Sequence, residues 1–498
     1  MIRNTIMTLA GATLLTLTTT AKAQNPLETN PFITDSIGLH YTAQAYGGFS
    51  TSGTTPFWLS ANRYGVVPVE SGNTYFRAAG FYNGIFGSEF RWGAGADLLA
   101  VYPRYKHVYT QQLYAQIGWK KAMLTIGSKE QPSTFLNNNL SSGDICESNN
   151  ARPIPGIRLE LDRYVTIPYT KGWLSIKGFI TVGKSLDKSY LQHFTAGTGQ
   201  TYINDVLWHT KSGTLRIKDT QGDKPFWAEI GLFHGAQWGG TSTNPALGKQ
   251  PSSFKDLLRV FMGKEGSGDA TVSDQINVLG NHYGKYQLKL GYEHRLLDVS
   301  AYVQHYFEDK SGMELANWKD GLFGIEVKPK NFPWITSALF EYFNSRDQSG
   351  PMHFIEYDRP ARGGGADNYY NNGEYTTGLT YFGQTLGNPF IQSPVYNDNN
   401  SLRFLNNRVR AYNFGAEGFI LPELSYIVKL SHIKGFGTHY SPFANPNKGF
   451  SGMVAVQYTP EQFAGWSAGC RLGLDHGTWI GNQFGAAFTI TKTGTIFK

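Results

Sequence analysis

The sequence has little charge, few cysteines and no long apolar run beyond its first residues. Only 16% of its 498 residues are Asp, Glu, Lys or Arg, against roughly 25% in an average soluble domain. Past the N-terminus no apolar stretch reaches the roughly 20 residues that a membrane-spanning helix needs. The two cysteines have no metal-ligand spacing. These absences disfavour an ordinary soluble protein and a helical membrane protein.

The N-terminus indicates export. Arg3 gives a short positive start, residues 6–20 form a small-to-apolar run, and residues 21–23 supply an Ala-x-Ala site. This pattern predicts a signal peptide over residues 1–23, cleaved between Ala23 and Gln24. A membrane anchor is the alternative, but the run is too short and too rich in threonine to span hydrocarbon.

Aromatic residues and glycine are abundant instead. The chain contains 29 Tyr, 32 Phe and 58 Gly, and Tyr and Phe favour strands while Gly is common where strands bend or pack closely. A chain with one lipid-facing and one wet face would combine many aromatics with the observed negative mean hydropathy of −0.33. We therefore expect an all-β protein. Cys470 falls on the apolar face of a strand and Cys146 in a polar loop, so we expect both to be unpaired.

Apolar and polar residues alternate with period two over most of the chain, as in half-buried strands. Each alternating segment is close to the roughly 9–11 residues of a tilted transmembrane strand, and several apolar faces end in aromatic residues. A soluble sandwich or propeller is the alternative, but the strands are long and no blade repeat is present. The segments are 90–102, 109–119, 174–182, 226–233, 285–295, 299–307, 410–420, 425–433, 466–475 and 484–490, and the last of these could continue to residue 497.

Short and long connections separate these segments. The long ones are rich in Gly, Asn, Pro and aromatic residues, as in the outer loops of membrane barrels. In one of them Ser253 precedes Phe254, Leu257, Leu258 and Phe261 at helical spacing, which predicts a short capped helix that could lie over the pore. The long connections are 128–155, 184–204, 235–281, 344–374 and 386–407.

Nine short motifs occur in order over nearly all of the mature chain. They are residues 55–65, 150–156, 208–211, 236–240, 279–284, 304–312, 320–324, 364–371 and 381–387. Their order and number resemble those of the Wzi-type capsule-assembly family. The resemblance implies an outer-membrane barrel of about 18 strands that acts as a surface lectin and holds capsular polysaccharide, without catalysis and without being the export channel. Another branch of the family has a periplasmic helical bundle before the barrel, but strand-like sequence here begins near His40, which leaves little room for that bundle.

Catalytic and metal chemistry have weak support. His305, Glu308, Asp309 and Ser311 lie close together in the sequence, but no nucleophile elbow accompanies them. Four aspartates in Asn/Gly-rich loops lack calcium-loop spacing and are better explained as turn residues. We expect no enzyme activity, no metal and no cofactor. The aspartates are Asp35, Asp144, Asp367 and Asp398.

Sugar binding needs flat rings for pyranose faces, and amides or carboxylates for hydroxyl groups. The loops contain both, with Trp238 between glycines and a dense polar-aromatic cluster near residue 370. Two nearby arginines could bind uronic carboxylates in bidentate fashion. For any one of these residues an interface or turn role is the stronger alternative. The candidate residues are Trp238, Arg359, Arg362, Asp367, Asn368, Tyr369, Tyr370 and Asn371.

The combined hypothesis is a signal peptide (1–23), a short N-terminal periplasmic segment (24–39) and an outer-membrane β-barrel with long extracellular loops (40–498). We expect a monomer, inserted by the outer-membrane assembly machinery, that contacts polysaccharide, membrane lipid and lipopolysaccharide. The net charge of +7 is a mild bias without a basic run, so nucleic acid is not an expected partner. A diffusion porin and a glycan- or lipid-modifying enzyme are the rival interpretations.

Overall fold

Eighteen antiparallel strands form one closed sheet in the computed structural model. Each strand pairs with the next along the chain, and β1 closes the barrel by pairing with β18. Closure removes the open sheet edges that hydrocarbon does not tolerate. The predicted signal peptide and its cleavage site, Ala23 and Gln24, lie outside the described residues. These are residues 30–222, 224–268, 270–276, 278–355 and 362–498.

The strand bounds follow the predicted segments closely, and the last strand continues to Phe497. The strands are β1 (Gly38–Ser50), β2 (Asn73–Phe86), β3 (Phe90–Tyr102), β4 (Val108–Trp119), β5 (Ala122–Ser128), β6 (Gly156–Thr166), β7 (Leu174–Lys184), β8 (Leu207–Lys218), β9 (Phe226–Trp238), β10 (Asn281–Glu293), β11 (Leu297–Phe307), β12 (Gly321–Pro329), β13 (Ser337–Asn344), β14 (Val409–Leu421), β15 (Leu424–Gly437), β16 (Pro442–Tyr458), β17 (Trp466–Gly477) and β18 (Gln483–Phe497).

The described helices are short and lie in the connections. None of those in the described part of the chain is long and apolar enough to cross a membrane. Short strand pairs and the 3-10 turn Pro394–Tyr396 also lie in the connections. The helices are α1 (Phe57–Ser60), α2 (Lys188–Phe194), α3 (Phe254–Met262), α4 (Val272–Ile276) and α5 (Lys310–Met313).

The two ends of the barrel differ in their connections. At one end, where β1 begins and β18 ends, turns of two to seven residues join the strands. At the other end the connections include residues 51–72, 129–155, 185–206, 239–280 and 345–408. Outer-membrane barrels place short turns in the periplasm and long loops outside. The end with the long connections is therefore the extracellular end.

The two faces of the wall are chemically opposite. Along β3, the outward side chains Trp92, Leu98 and Tyr102 are about half exposed, as predicted for a lipid face with aromatic ends. Between them, Asp97 and Leu99 point inward and are fully buried. A wall with exposed apolar side chains outside and buried polar ones inside fits a lipid solvent.

The first described residues enter the lumen. Phe32 is buried there, and the guanidinium of Arg77 lies 3.7 Å from its ring centre. Arg77 also pairs with Asp97 at 2.5 Å and with Glu130 at 2.8 Å. The Asn83 amide of β2 donates to the Thr34 carbonyl at 2.9 Å. The described part of residues 24–39 therefore runs along the inner wall before β1 begins.

The predicted loop helix is confirmed as α3, with a capping box at Ser253. The Ser253 hydroxyl accepts from the Asp256 amide at 3.3 Å, and the Asp256 carboxylate accepts from the Ser253 amide at 2.9 Å. The helix does not cover the pore. It lies against outward-facing His209 and Lys211 of β8, because the Phe261 ring is 5.1 Å from the His209 ring and Lys211 donates to the Phe261 carbonyl.

We expect Ile230→Lys to destabilise the barrel by about 2–4 kcal/mol, because this outward, half-exposed side chain lies midway along β9 in the lipid-facing belt. Unfolding by guanidinium in phospholipid vesicles measures the change. The matched control is Ser212→Lys, whose side chain faces a cavity inside the lumen. An equal loss of stability in both variants would contradict the assignment of the two faces.

Candidate carbohydrate-binding site

Three extracellular connections fold back into the lumen. We call their inward parts, residues 55–67, 133–151 and 366–407, the plug. Fully buried aromatic rings join its segments: Phe390 lies 6.0 Å from Phe57 and 5.7 Å from Trp58, and it reaches Phe343 of the wall at 6.1 Å. Barrels of 16–18 strands otherwise enclose an aqueous channel. Here the plug occupies that space.

Buried carboxylates on the wall hold the second plug segment in place. Glu341 of β13 accepts from the Ser141 hydroxyl and the Ser142 amide, both at 2.6 Å. It also accepts from the Tyr302 hydroxyl at 2.6 Å and from the Asn413 amide at 3.1 Å. Four donors on one buried side chain fix both the plug and three wall strands.

Other contacts fasten the same segment along its length. Asn137 donates to Glu326 at 3.0 Å and to Glu417 at 3.1 Å. Asp144 pairs with the buried ammonium of Lys285 on β10 and accepts from the Gln304 amide of β11 at 2.7 Å. The segment therefore contacts the wall from β10 to β14, which accounts for its buried, ordered path.

The first plug segment is attached to the adjoining part of the wall, on β15 and β17. The Phe57 amide donates to the Asp475 carboxylate of β17 at 2.8 Å, and the Trp58 indole donates to Ser431 of β15 at 3.0 Å. The Lys429 ammonium lies 3.5 Å from the Trp58 ring centre. Motif residues 55–65, which carried part of the family resemblance, are thus structural parts of the plug.

A cavity of about 270 Å³ remains between the plug and the inner faces of β5–β10. Arg158 lines this cavity. Its guanidinium lies 3.0 Å from the Glu160 carboxylate and 3.6 Å from the Phe179 ring centre. Typical small-molecule pockets hold roughly 300–1,000 Å³, so this space is slightly smaller than such a pocket. Its charged and aromatic lining residues include Lys129, Glu147, Arg152, Arg158, Glu160, Tyr164, Lys177, Phe179, Trp208, Glu229 and Phe233.

The structure separates the predicted sugar-binding residues into two places. Trp238 is buried on the outer wall beside Val260 of α3, whereas the 367–371 cluster belongs to the plug. Tyr369 and Tyr370 are fully buried and Asn371 is buried, while Asp367 and Asn368 are partly exposed. Arg359 lies outside the described residues, and Arg362 begins the short strand Arg362–Gly364.

The buried members of the cluster make internal contacts. The Tyr369 hydroxyl accepts from the Asn317 amide, and the Tyr370 hydroxyl donates to the Ile145 carbonyl. The Asn371 amide donates to the Phe404 carbonyl at 2.9 Å. In this conformation these rings hold plug segments together, and Asp367 and Asn368 are the members that present polar atoms toward solvent.

We call the extracellular surface around residues 308–320, 347–349, 367–368 and 438–441 the rim. A row of polar side-chain oxygens crosses it beside Asp367. Ser311 contacts Asp309 at 2.6 Å and Ser349 at 2.9 Å, and Ser349 contacts Asp367 at 2.6 Å. Three contacts need three hydrogens, but two serine hydroxyls supply only two. Burial raises the pKa of Asp367 to about 6, and nearby Asp309 acts in the same direction. A proton on Asp367 would complete the row.

Two exposed aromatic side chains also lie at this rim, and the sequence analysis identified neither as a candidate site residue. Trp318 is 66% exposed and Tyr440 is 62% exposed. Trp318 follows Asn317, which binds Tyr369, and Tyr440 follows His439, whose ring lies 3.2 Å from the Asp347 carbonyl. An isolated aromatic residue in a polar connection is the signal that could have identified them. Together with the polar row they provide both elements of a sugar site.

The four residues that the sequence analysis weighed and rejected as a catalytic grouping contact different partners. The His305 ring nitrogens lie 3.2 Å from the carbonyls of Asp320 and Gly312. Ser311 instead contacts Asp309 and Ser349. Glu308 accepts from the Tyr306 hydroxyl at 2.7 Å. Serine and histidine are therefore engaged with different partners rather than with each other.

Comparison with known proteins decides the family. A family model described as capsule assembly protein Wzi matches residues 42–392, which is most of the chain. The chain belongs to the Wzi family. This confirms the resemblance drawn from the sequence motifs, and it places this Wzi-family protein in the outer membrane.

One solved structure shares the fold of this chain, and two others are similar at lower scores. Wzi of Escherichia coli, described as a carbohydrate-binding β-barrel involved in group 1 capsule assembly, is 13% identical with a TM-score of 0.56, over 90% of this chain and 83% of that one. OprD of Pseudomonas aeruginosa is 10% identical with a TM-score of 0.46, over 95% of this chain and 97% of that one. OccAB2 of Acinetobacter baumannii is 9% identical with a TM-score of 0.47, over 94% and 100%. No curated protein sequence matches the chain.

We expect Glu341→Ala to loosen the plug of this Wzi-family barrel. The change leaves four buried donors without their acceptor, and an unsatisfied buried group costs about 1–3 kcal/mol. Hydrogen exchange over residues 135–146 should rise by at least tenfold, and heat-modified gel migration should occur at a lower temperature. The control Glu461→Ala removes an exposed turn carboxylate. Unchanged exchange in the Glu341 variant would contradict the docking.

The free energy of unfolding should depend on pH because of Glu308 at the rim. Burial raises the pKa of Glu308 to about 8, against the lowering effect of hydrogen bonds from Tyr306 and the Tyr370 amide. The unfolded value is about 4.3, so the folded state binds more protons between these limits and stability falls as pH rises through them. Glu308→Gln mimics the neutral acid. It should match the wild-type melting temperature at pH 5 and exceed it at pH 8.5.

The test is heat-modifiability at both pH values in the same detergent, with Glu461→Gln as the control. A constant difference between wild type and the Glu308 variant at the two pH values would contradict the prediction.

Proposed function

We propose that this protein binds surface polysaccharide at its extracellular rim and attaches the capsule to the outer membrane, without catalysis. The observation that carries the proposal is the plug. Because three connections fold into the lumen and dock on its wall, we infer that the extracellular end is a closed platform. A Wzi-family barrel built in this way offers its rim to a long polymer.

The rim has the chemistry that a sugar chain needs. Trp318 and Tyr440 are exposed rings that can stack on the apolar faces of pyranoses, and the Asp367 and Asn368 side chains can bind hydroxyl groups. Tyr369, Tyr370 and Asn371 support this surface from below through their buried contacts. In this proposal the predicted cluster contributes both binding groups and scaffold.

The plug also argues against the porin alternative. A porin needs a continuous aqueous path, whereas the Glu341, Glu326 and Asp144 contacts hold the second plug segment across the lumen. His305 and Ser311 contact separate partners, so the serine–histidine pair that the enzyme alternative would use is not formed. In the proposal the protein works as a monomer, delivered through a cleaved signal peptide over residues 1–23 and inserted by the outer-membrane assembly machinery.

Deletion of the gene should lower capsule on cells and release polysaccharide into the medium. The deletion strain complemented with Trp318→Ala/Tyr440→Ala should show the same shift in part, because the stacking surface is lost. The matched control is Tyr169→Ala, an exposed ring in a short turn at the opposite end of the barrel, which should restore the wild-type distribution. No change in either capsule pool after deletion would refute the proposal.

Binding to purified capsular polysaccharide of the same strain tests the rim directly. Each single aromatic change should weaken binding on the order of threefold to tenfold, since an aromatic contact contributes roughly 0.5–1.5 kcal/mol. Equal affinity of wild type, the double variant and Tyr169→Ala would exclude this part of the rim as the binding surface.

A further inference from the structure

The outer wall is covered at one place on its extracellular end. Ala236 and Trp238 of β9 alternate with inward residues and point out of the barrel, yet both are buried. Further along the same outward face, Ile230 and Leu232 are about half exposed. The covering layer is part of the 239–280 connection, because Ala236 and Trp238 pack with Val260, Ala270 and Leu279.

Helix α3 forms the outer surface of this layer. Val260 is fully buried toward the wall, and the Lys211 ammonium of β8 lies 3.9 Å from the Phe261 ring centre. Lys211 pairs in register with His234, and Gly213 two residues further on pairs with Leu232 of the lipid-facing belt. The helix therefore lies on the outside of the barrel, directly beyond the extracellular edge of that belt.

The side of α3 that faces away from the wall is apolar. Phe254, Leu258 and Met262 recur every four residues, so they form one stripe along the helix. They are 75%, 51% and 63% exposed. Such a stripe is unfavourable in water, but amphipathic helices with this arrangement lie in membrane interfaces. Its continuity with the lipid-facing wall supplies that environment.

The charges around the stripe are mainly positive. Arg259 is neutralised by Asp256 at 3.1 Å. Lys255 beside the stripe and Lys264 just beyond the helix are exposed. Glu265, next to Lys264, is the exposed carboxylate there. The lipid at this end of an outer-membrane barrel is lipopolysaccharide, whose lipid A carries acyl chains and anionic phosphates. An apolar stripe flanked by ammonium groups is complementary to both parts.

We propose that α3 is an interfacial anchor that binds lipid A. Acyl chains contact Phe254, Leu258 and Met262, and the phosphates bind Lys255 and Lys264. The anchor fixes the depth and orientation of the barrel in the outer leaflet. It is separate from the polysaccharide rim, and its test does not depend on capsule binding.

Depth measurement with a spin label tests the first half of the proposal. The full-length protein carries Leu258→Cys in a Cys470→Ser background and is placed in vesicles of phospholipid and lipid A. Cys146 is fully buried and does not need replacement. The label at position 258 should be more accessible to oxygen than to a water-soluble nickel chelate. The controls are Leu232→Cys in the lipid-facing belt and Asn399→Cys, at an exposed polar position of the third plug segment.

Retention of lipid A tests the second half. Lys255→Glu/Lys264→Glu should reduce the lipid A bound per folded barrel, counted by native mass spectrometry, at least fivefold relative to bound phosphatidylethanolamine. The matched reversal Lys171→Glu/Lys224→Glu, at exposed positions in short turns of the other end, should leave that ratio unchanged. Folding of every variant is checked by heat-modifiable migration.

Three results would overturn the anchor. A label at position 258 as accessible to nickel as the one at 399 would place α3 in water. Spin–spin broadening between copies would make the stripe a contact between two barrels. An unchanged lipid A ratio in the Lys255/Lys264 variant would exclude these lysines as the phosphate ligands and leave an unspecific lipid contact.

Discussion

The structure depends on buried hydrogen bonds between the plug and the inner wall. Buried Glu341 accepts four hydrogen bonds, two from plug residues 141 and 142 and two from wall strands β11 and β14. A buried carboxylate is tolerated only when it is satisfied in this way. The plug therefore completes the wall chemically, and the wall positions the plug.

Because the plug and the wall hold each other in place inside the lumen, we assign the function to the rim. A barrel of eighteen strands is wide enough to conduct, yet here its lumen holds folded chain from the first described residues near Phe32 to the plug aromatics around Phe390. What remains accessible is the rim, with Trp318, Tyr440 and Asp367, and the outer wall, with α3. We propose that the first surface binds the polymer and that the second binds the lipid.

Much of the fold follows from local physics that the sequence displays. Period-two alternation located strands such as β3 and β9, and the Ser253 cap located α3, because both signals depend on near neighbours. The direction in which a loop folds was not predictable. A polar-aromatic connection has the same composition whether it projects outward or packs inside, so Tyr369 and Tyr370 were expected as exposed sugar platforms and are buried. The position of α3 on the outer wall was hidden for the same reason.

Conductance in planar lipid bilayers tests the central claim that the lumen is closed. Purified full-length protein should insert without steady ion currents. A variant in which residues 133–149 are replaced by a short glycine–serine linker should conduct in discrete steps, because the plug segment docked on Glu341 is gone. Stable single-channel currents from the wild-type protein, comparable with those of the linker variant, would contradict the account.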